Sequence, residues 1–380
     1  MIKVIHIVPD LERGGGQQVA INILRSMDRS RFEPVVVTLF GRSGAPIEER
    51  LEEEGIPVIY LGKHLGIDLR MFWQLYRVLR DLHADVVHTH LYCLRYALPA
   101  VIALRGRIAA IHTIHNVAQR EVGAIDRRIY RFAFNHAGVL PVAIADAVQA
   151  SSKQVYGVAG PVIPNGIALS TYQAENARHA SRARHNIGTD EVLFVSVGRL
   201  YSQKNHDLLL DALALAVQKT ANIRCLIVGD GARAAELKAK AEALSLQNAV
   251  QFLGHRSDIP EILAGADVGV LSSAWEGNPL CVMEMMASGT PVIATAVGGV
   301  PELIDGGAGI LVQPGDVQGF ADAICRLVSD REARERMGGV AARIAQQRFS
   351  TESMTKRYEE LYVSRVSDKA PCTSLAALGD

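Results

Sequence analysis

The sequence lacks a surplus of charge of either sign. Its 380 residues carry 40 Lys+Arg against 40 Asp+Glu. This balance excludes the strongly basic profile of a nucleic-acid binder, and no nucleic-acid partner is expected. Cysteine is also scarce. The five sit at 93, 225, 281, 325 and 372. No two form a C-x-x-C pair and their number is odd, which excludes a disulfide framework and suits reduced thiols in a cytoplasmic protein. No apolar run approaches the ~20 residues that span a bilayer. The opening run Met1-Ile2-Lys3-Val4-Ile5-His6-Ile7-Val8 is too short and too polar at its end for a signal peptide. Two motifs are missing as well. There is no G-x-G-x-x-G, which removes support for a dinucleotide fingerprint, and no D-x-D triplet to hold a metal.

What is present is a repeated alternation of short apolar runs with helical patterns. Apolar residues make up 49% of the chain, enough for a folded core, and the length favours two domains of roughly 150–200 residues. The spacing predicts strands over 4–8, 34–40, 58–61, 86–90 and 109–115. Helices are predicted over 17–27, 47–54, 69–82 and 95–104. The rhythm restarts with a strand and turn over 161–166 and a polar linker to about 190. Strands follow over 192–197, 224–228, 250–253, 268–271, 292–294 and 309–312. The intervening helices are predicted over 207–219, 234–244, 259–264, 280–287 and 320–327. Such a βαβα order predicts parallel sheets covered on both faces. The expected fold class is therefore α/β, with two Rossmann-like doubly wound domains facing across a cleft. The expected boundaries are 1–170, 171–350, a terminal helix 351–366 crossing back to the first domain, and a flexible tail 367–380. Charge is unevenly shared: residues 1–165 hold 19 Lys+Arg, 15 Asp+Glu and eight of the twelve His. An anionic partner for that half and ordinary surface variation explain this equally well.

Ligands of open α/β sheets bind at the carboxyl ends of the strands, so the loops there carry the search. After the first strand, Gly14-Gly15-Gly16 opens a helix. Glycines admit a ligand close to the backbone and a helix N-terminus favours anions; a plain tight turn explains the run equally well. The strand ending at Val197 is followed by Gly198-Arg199-Leu200-Tyr201-Ser202-Gln203-Lys204-Asn205. Arg199 and Lys204 on one loop beside a helix start can grip a diphosphate and stabilise charge on a departing nucleotide; the alternative is two solvated cations. The segment from Ser272 to Glu284 reads as a loop carrying Glu276, then a helix over 279–288 capped by Asn278, with Pro279 at its first position and Gly289 just beyond its end. Glu284 stands among apolar residues and needs a partner. A ribose diol and a buried structural ion pair both answer that need.

Glu276 through Glu284 matches the E-x7-E motif of the retaining glycosyltransferases of family four, which have the GT-B fold. The glycine loop, Pro164-Asn165-Gly166, Val197-Gly198-Arg199-Leu200 through Lys204, Val228-Gly229-Asp230-Gly231, Phe252-Leu253-Gly254, residues 296–302, and Arg348-Phe349-Ser350 through Tyr358 to Tyr362 all resemble that family, in its order. The resemblance covers nearly the whole chain. Pro279 stands where many members have Gly, and Met285 where Ala is common. The resemblance implies that Arg199 and Lys204 bind the donor diphosphate and that Glu284 holds the ribose hydroxyls. Glu276 would contact the donor sugar together with the backbone of Asn278, Pro279 and Leu280. It implies further that Gly15 and Gly16 approach the phosphates, that the loops with Gly229, His255 and Arg256 line the donor site, and that His115 lies over the donor sugar. By themselves His115 and His112 also read as packing histidines.

The implied reaction is retaining transfer of a hexose from a nucleotide-diphosphate donor to a saccharide or lipid-linked acceptor in cell-surface polysaccharide or glycoconjugate biosynthesis. A UDP-sugar is favoured over GDP-mannose, with no cofactor and no metal. Catalytic roles fall to Glu276, His115, Arg199 and Lys204. Arg120, Arg127, Arg128 and Arg131 near the amphipathic stretch 125–134 suggest contact with anionic membrane at its cytoplasmic face; a solvated helix face explains each arginine singly. Another GT-B enzyme, such as an epimerase or phosphorylase, and a non-catalytic nucleotide-binding partner are the rival readings.

Overall fold

The computed structural model describes residues 1–12, 14–172 and 177–368. The expected tail beyond 368, with Cys372, lies outside them. The chain divides into two compact units, one of residues 1–165 with 351–368 and the other Gly166–Ser350.

The first unit runs β1 (Ile2–Val8), α1 (Gly15–Ser26), β2 (Phe32–Thr38), α2 (Pro46–Glu53), β3 (Val58–Tyr60), α3 (Arg70–Asp81), β4 (Val86–His90), α4 (Leu94–Ala103), β5 (Ala109–Ile114), α5 (Ala118–Glu121), α6 (Ala124–His136), β6 (Leu140–Ala143) and α7 (Asp146–Tyr156). Its sheet is parallel, in the order β3-β2-β1-β4-β5-β6. Strand residues alternate between two packed faces. Ile5, Ile7, Val35, Val37 and Val87 join α3 and α4 on one side, and Val8 and Val36 join α1 on the other.

The second unit runs α8 (Ala177–Arg184), β7 (Val192–Val197), α9 (His206–Lys219), β8 (Ile223–Val228), α10 (Ala234–Ala243), β9 (Val250–Gly254), α11 (Ile259–Gly265), β10 (Val268–Leu271), α12 (Leu280–Ala287), β11 (Val292–Thr295), α13 (Val300–Ile304), β12 (Gly309–Val312), α14 (Val317–Ser329) and α15 (Arg331–Arg348). Its parallel sheet has the order β12-β11-β10-β7-β8-β9. The last helix, α16 (Thr351–Ser367), belongs to the first unit and packs on α1. Tyr358 and Tyr362 are buried there, and Glu359 accepts from the backbone N–H of Asp28 at 2.7 Å.

Each sheet reverses its strand order once, between β1 and β4 and between β7 and β10. At such a switch point the flanking loops diverge and leave room for a ligand. The relevant loops are those after β1 and β4 in one unit and after β7 and β10 in the other.

Three sequence expectations are corrected. The strand over 161–166 is one bridge, Ala143 to Val162; Pro161 and Pro164 lack the N–H groups that would extend it. The stretch 165–190 is not a polar linker throughout, because it contains α8. Arg182 there donates to Asp267 at 2.8 Å and to the carbonyls of Gly188 and Glu191, each at 2.6 Å. Its arginines are anchors rather than solvated charge. Asn278 does not cap α12: Pro279 holds the capping position in extended backbone, without a side-chain bond. Gly289 does follow the helix, with φ +73°. The spacing also missed β6, α7 and α15.

Candidate active site

In the second unit the β7 loop and the β10 loop meet through one ion pair. Lys204 ends a short 3₁₀ turn, Ser202–Lys204, that leads into α9. Its ammonium lies 2.7 Å from Oε1 of Glu276, with side-chain exposures of 17% and 7%, so the pair is largely out of water. The same carboxylate oxygen accepts from the Ser273 hydroxyl at 2.7 Å, and the Gln203 amide approaches Oε2 at 3.4 Å. Gln203 also donates to the Trp275 carbonyl at 3.1 Å, while Thr295 donates to the Ser273 carbonyl at 2.6 Å. Burial pulls the Lys204 ammonium toward neutrality, but the neighbouring Glu276 carboxylate outweighs it and the net shift is upward. At neutral pH Lys204 therefore stays protonated, with its charge balanced by Glu276.

The backbone is shaped to hold Glu276 in place. Gly298 has φ +52°, and a Cβ there would stand 1.8 Å from the Glu276 carbonyl oxygen. Only glycine permits both the left-handed backbone and that approach. The Gly299 N–H then donates to the Gly277 carbonyl at 2.8 Å.

Arg199 is placed quite differently from Lys204. It is exposed, and its guanidinium rests 5.4 Å from the Tyr201 ring centroid. Among the described residues no carboxylate pairs with it, so its donors are available to an anion. Gly229, after β8, donates to the Gly254 carbonyl at 2.8 Å beside this loop. Glu284 lies on α12 and is partly buried. Burial raises its carboxyl, while the Tyr172 hydroxyl bonded to it and the Lys204 charge pull it back. Among the described residues its partner is thus a hydroxyl, not an ion pair. Asn278 and Pro279 are buried just ahead of α12, and Leu280, its first residue, is half-buried. Arg256 makes a forked pair with Asp258, at 2.8 and 2.6 Å, and His255 is exposed.

In the first unit α1 starts at Gly15, with Gly14 in the capping position and no side-chain cap. Its first N–H groups are open to an anion. Gly15 is exposed, with open space around its missing Cβ. A Cβ on Gly16 would meet Leu91 at 3.0 Å and the His115 ring at 3.3 Å. The structure therefore brings Gly16 and His115 together, and His115 follows β5 directly. The backbone N–H of His115 donates to Glu121 at 3.1 Å; burial raises that carboxyl to about 7. His112 is on the opposite face of the sheet. It packs edge-on against Tyr130, with ring centroids 4.8 Å apart, which makes it a packing histidine.

Sequence reasoning missed Ser273, Gln203, Tyr172 and Glu121. It also missed Leu91, a bulky residue with φ +53°, whose carbonyl accepts from Tyr130 at 2.6 Å. Ser273 could have been found from its place three residues before Glu276. Tyr172 could not, because only folding brings it to Glu284.

The chain matches two family models in succession: Glycosyltransferase Family 4 over residues 13–171, and Glycosyl transferases group 1 over residues 177–343. It is 25% identical to the UDP-Gal:alpha-D-GlcNAc-diphosphoundecaprenol alpha-1,3-galactosyltransferase of Escherichia coli, across 97% of this chain and 98% of that one. It is 26% identical to the N-acetyl-alpha-D-glucosaminyl L-malate synthase of Bacillus anthracis, across 79% and 80%. The crystal structure of Anabaena HepE in complex with UDP-glucose superposes with a TM-score of 0.84 at 25% identity, covering 96% of this chain and all of that one. With both units matched in order and the whole fold shared, the chain belongs to the family-four glycosyltransferases of GT-B fold.

Proposed function

We propose that the protein moves a hexose from a UDP-sugar to a saccharide or lipid-linked acceptor, with retention of anomeric configuration and without a metal. The observation that carries this reading is the pairing of an unopposed, exposed Arg199 with a buried, permanently charged Lys204 at one switch point. A leaving nucleoside diphosphate develops negative charge, and preorganised cations at that point lower the barrier. Arg199 and Lys204 take the part that a metal plays elsewhere. Glu276, held by Lys204 and Ser273, orients the donor sugar with the backbone of Asn278, Pro279 and Leu280. Glu284 and Tyr172 receive the ribose hydroxyls, and the Gly229 and Arg256 loops line the base side. Within the first unit Gly16 and His115 lie together beside Gly15, and these three are assigned to donor binding on the family resemblance alone. The acceptor oxygen attacks the face that the nucleotide leaves, and its proton passes to the departing phosphate oxygen. No protein carboxylate need form a bond to the sugar, in contrast to retaining hydrolases.

The donor class is supported by the names of the Escherichia coli relative and of the HepE complex. The acceptor class is supported by the former. A role at the cytoplasmic membrane face is supported by α6, where exposed Ile125 and Phe132 flank exposed Arg128 and Arg131. Among the described residues no helix is long and apolar enough to cross a membrane. The test is a panel of UDP- and GDP-sugars with EDTA present, read by thermal shift and by acceptor-dependent UDP release, with NMR of the product's anomeric proton. Stabilisation by UDP-sugars and an axial product from an axial donor are expected. Product formed without any acceptor would instead establish the epimerase reading, and activity abolished by EDTA and restored by Mg²⁺ would overturn metal independence.

A further inference from the structure

His115 is the outer end of a buried hydrogen-bonded chain. Its Nε2 lies 2.9 Å from Nδ1 of His90. Nε2 of His90 lies 3.0 Å from Nδ1 of His6, and Nε2 of His6 lies 3.1 Å from the Tyr362 hydroxyl. That hydroxyl lies 2.7 Å from Nδ1 of His88, whose Nε2 is 2.7 Å from the Thr113 hydroxyl. The chain ends at Tyr358, 2.9 Å beyond Thr113. His6, His88, His90, Thr113, Tyr358 and Tyr362 are all 0% exposed. Burial drives every one of the four rings toward the neutral form.

A neutral imidazole has one N–H and one lone pair, so each ring passes a direction to the next. Two directions exist for the whole chain. If protons point inward from His115, each ring donates through Nε2, the Tyr362 hydroxyl donates to His88, and Thr113 donates to Tyr358. The Tyr358 O–H is then a buried donor with no acceptor among the described residues. If protons point outward, Tyr358 donates to Thr113, Thr113 to His88, His88 to Tyr362, Tyr362 to His6, His6 to His90 and His90 to His115. Every fully buried donor is then used, and the one N–H left over is on the half-exposed His115 ring. A buried unsatisfied donor is costly, so the outward direction prevails. Its consequence is that His115 carries its proton on Nδ1, the nitrogen with no partner among the described residues on a half-exposed ring.

We propose that Tyr362, His6 and His90 are positioning residues that lock His115 as an Nδ1–H donor, so that it binds a ligand oxygen and does not serve as a general base. The ligand clause rests on the donor-site reading above; the tautomer does not. The three rings His6, His88 and His90 also have the spacing of a metal site, but the chain consumes their lone pairs.

Two-bond ¹H–¹⁵N imidazole spectra of the ¹⁵N-histidine-labelled full chain at pH 7.5 test this without substrate, with His115→Asn assigning the signal. The expected result is Nδ1–H at His115. Tyr362→Phe cuts the chain and should move His115 partly or wholly to Nε2–H. Tyr358→Phe should leave it unchanged, because Thr113 still donates. Nε2–H or an imidazolium at His115 in the native protein overturns the proposal. So does one equivalent of zinc that copurifies and is lost in His88→Gln. If Tyr362→Phe does not fold, the native spectrum alone decides.

Discussion

Replacing Glu276 by Gln keeps the side chain's shape and removes the one counter-charge that Lys204 has at 2.7 Å. The buried ammonium then has two options. It can stay charged and unpaired, which costs about 3–5 kcal/mol for a broken buried pair. It can also release its proton; from the ordinary value of 10.5, this costs about 4 kcal/mol at pH 7.5, at 1.36 kcal/mol per unit. The two routes cap the loss at roughly the same figure, so Glu276→Gln should lose about 3–4 kcal/mol. For a unit of this size that is about 6–16 °C in Tm. Lys204→Met should lose less, because Glu276 keeps the Ser273 hydroxyl at 2.7 Å. The double variant removes both charges and should recover much of the loss, leaving a coupling energy of about 2 kcal/mol. A nucleoside diphosphate supplies Lys204 with a replacement counter-charge, so UDP should raise the Tm of Glu276→Gln by more than that of the native protein. The assay is thermal unfolding with and without UDP, followed by Trp275 fluorescence in a Trp73→Phe background; the chain has two tryptophans. Additive single losses, together with equal UDP shifts, would refute the idea that Lys204 exchanges Glu276 for the diphosphate.

Arg199→Ala removes only an exposed stack on Tyr201, so Tm should stay within about 1 °C while turnover falls about 10²–10³-fold; unaltered turnover would remove Arg199 from the site. Glu284→Ala should abolish any preference for UDP over 2′-deoxy- and 3′-deoxy-UDP in competition binding, and a preference that persists would unseat Glu284 as the ribose ligand. Four fully buried rings, His6, His88, His90 and His112, are pushed below the ordinary histidine range by burial, His6 and His112 to about 3. Their depressed values mean that stability is full above pH 6.5 and is lost as pH falls toward 3. With four rings the slope approaches about 5 kcal/mol per pH unit near pH 5, so urea unfolding seen by Trp73 should weaken before that seen by Trp275; equal slopes would contradict the burial. Charge-removing changes at Arg128 and Arg131 should abolish flotation on vesicles containing anionic lipid, and flotation unchanged by them would dismiss α6 as the contact.

The fold was legible because a parallel α/β sheet writes itself as apolar runs at regular intervals, and each buried strand needs a covering helix. The misreadings follow from the same logic. Polar helices such as α8 and α15 carry their purpose in ion pairs and close approaches rather than in apolar periodicity. Asp267, which gathers Arg178, Arg182 and the Leu193 N–H, is an ordinary surface residue until β10 is placed beside β7. Glu276, Arg199 and Lys204 were singled out because strand-end loops are where such a sheet binds ligands; their chemistry is what the family resemblance implies, and the structure adds that Glu276 and Lys204 meet. What spacing could not show is that Lys204 and Arg199 differ: one is buried and neutralised by Glu276, the other exposed and unopposed.

The histidine chain marks the deeper boundary of sequence reading. Half of it is local: His88 and His90 alternate on one strand and so share a face, as do Thr113 and His115, and Tyr358 and Tyr362 are one helical turn apart. Each of those pairs could have been set down from the sequence as a face of an element. Their joining requires strand order, since His6 stands opposite His88, and His90 opposite Thr113, only because β4 lies between β1 and β5. It further requires that a helix more than 200 residues downstream returns to cover that face. Neither fact has a local signature, yet together they decide which nitrogen of His115 carries the proton. A residue's identity was therefore readable from its motif, while its protonation state is a property of the topology.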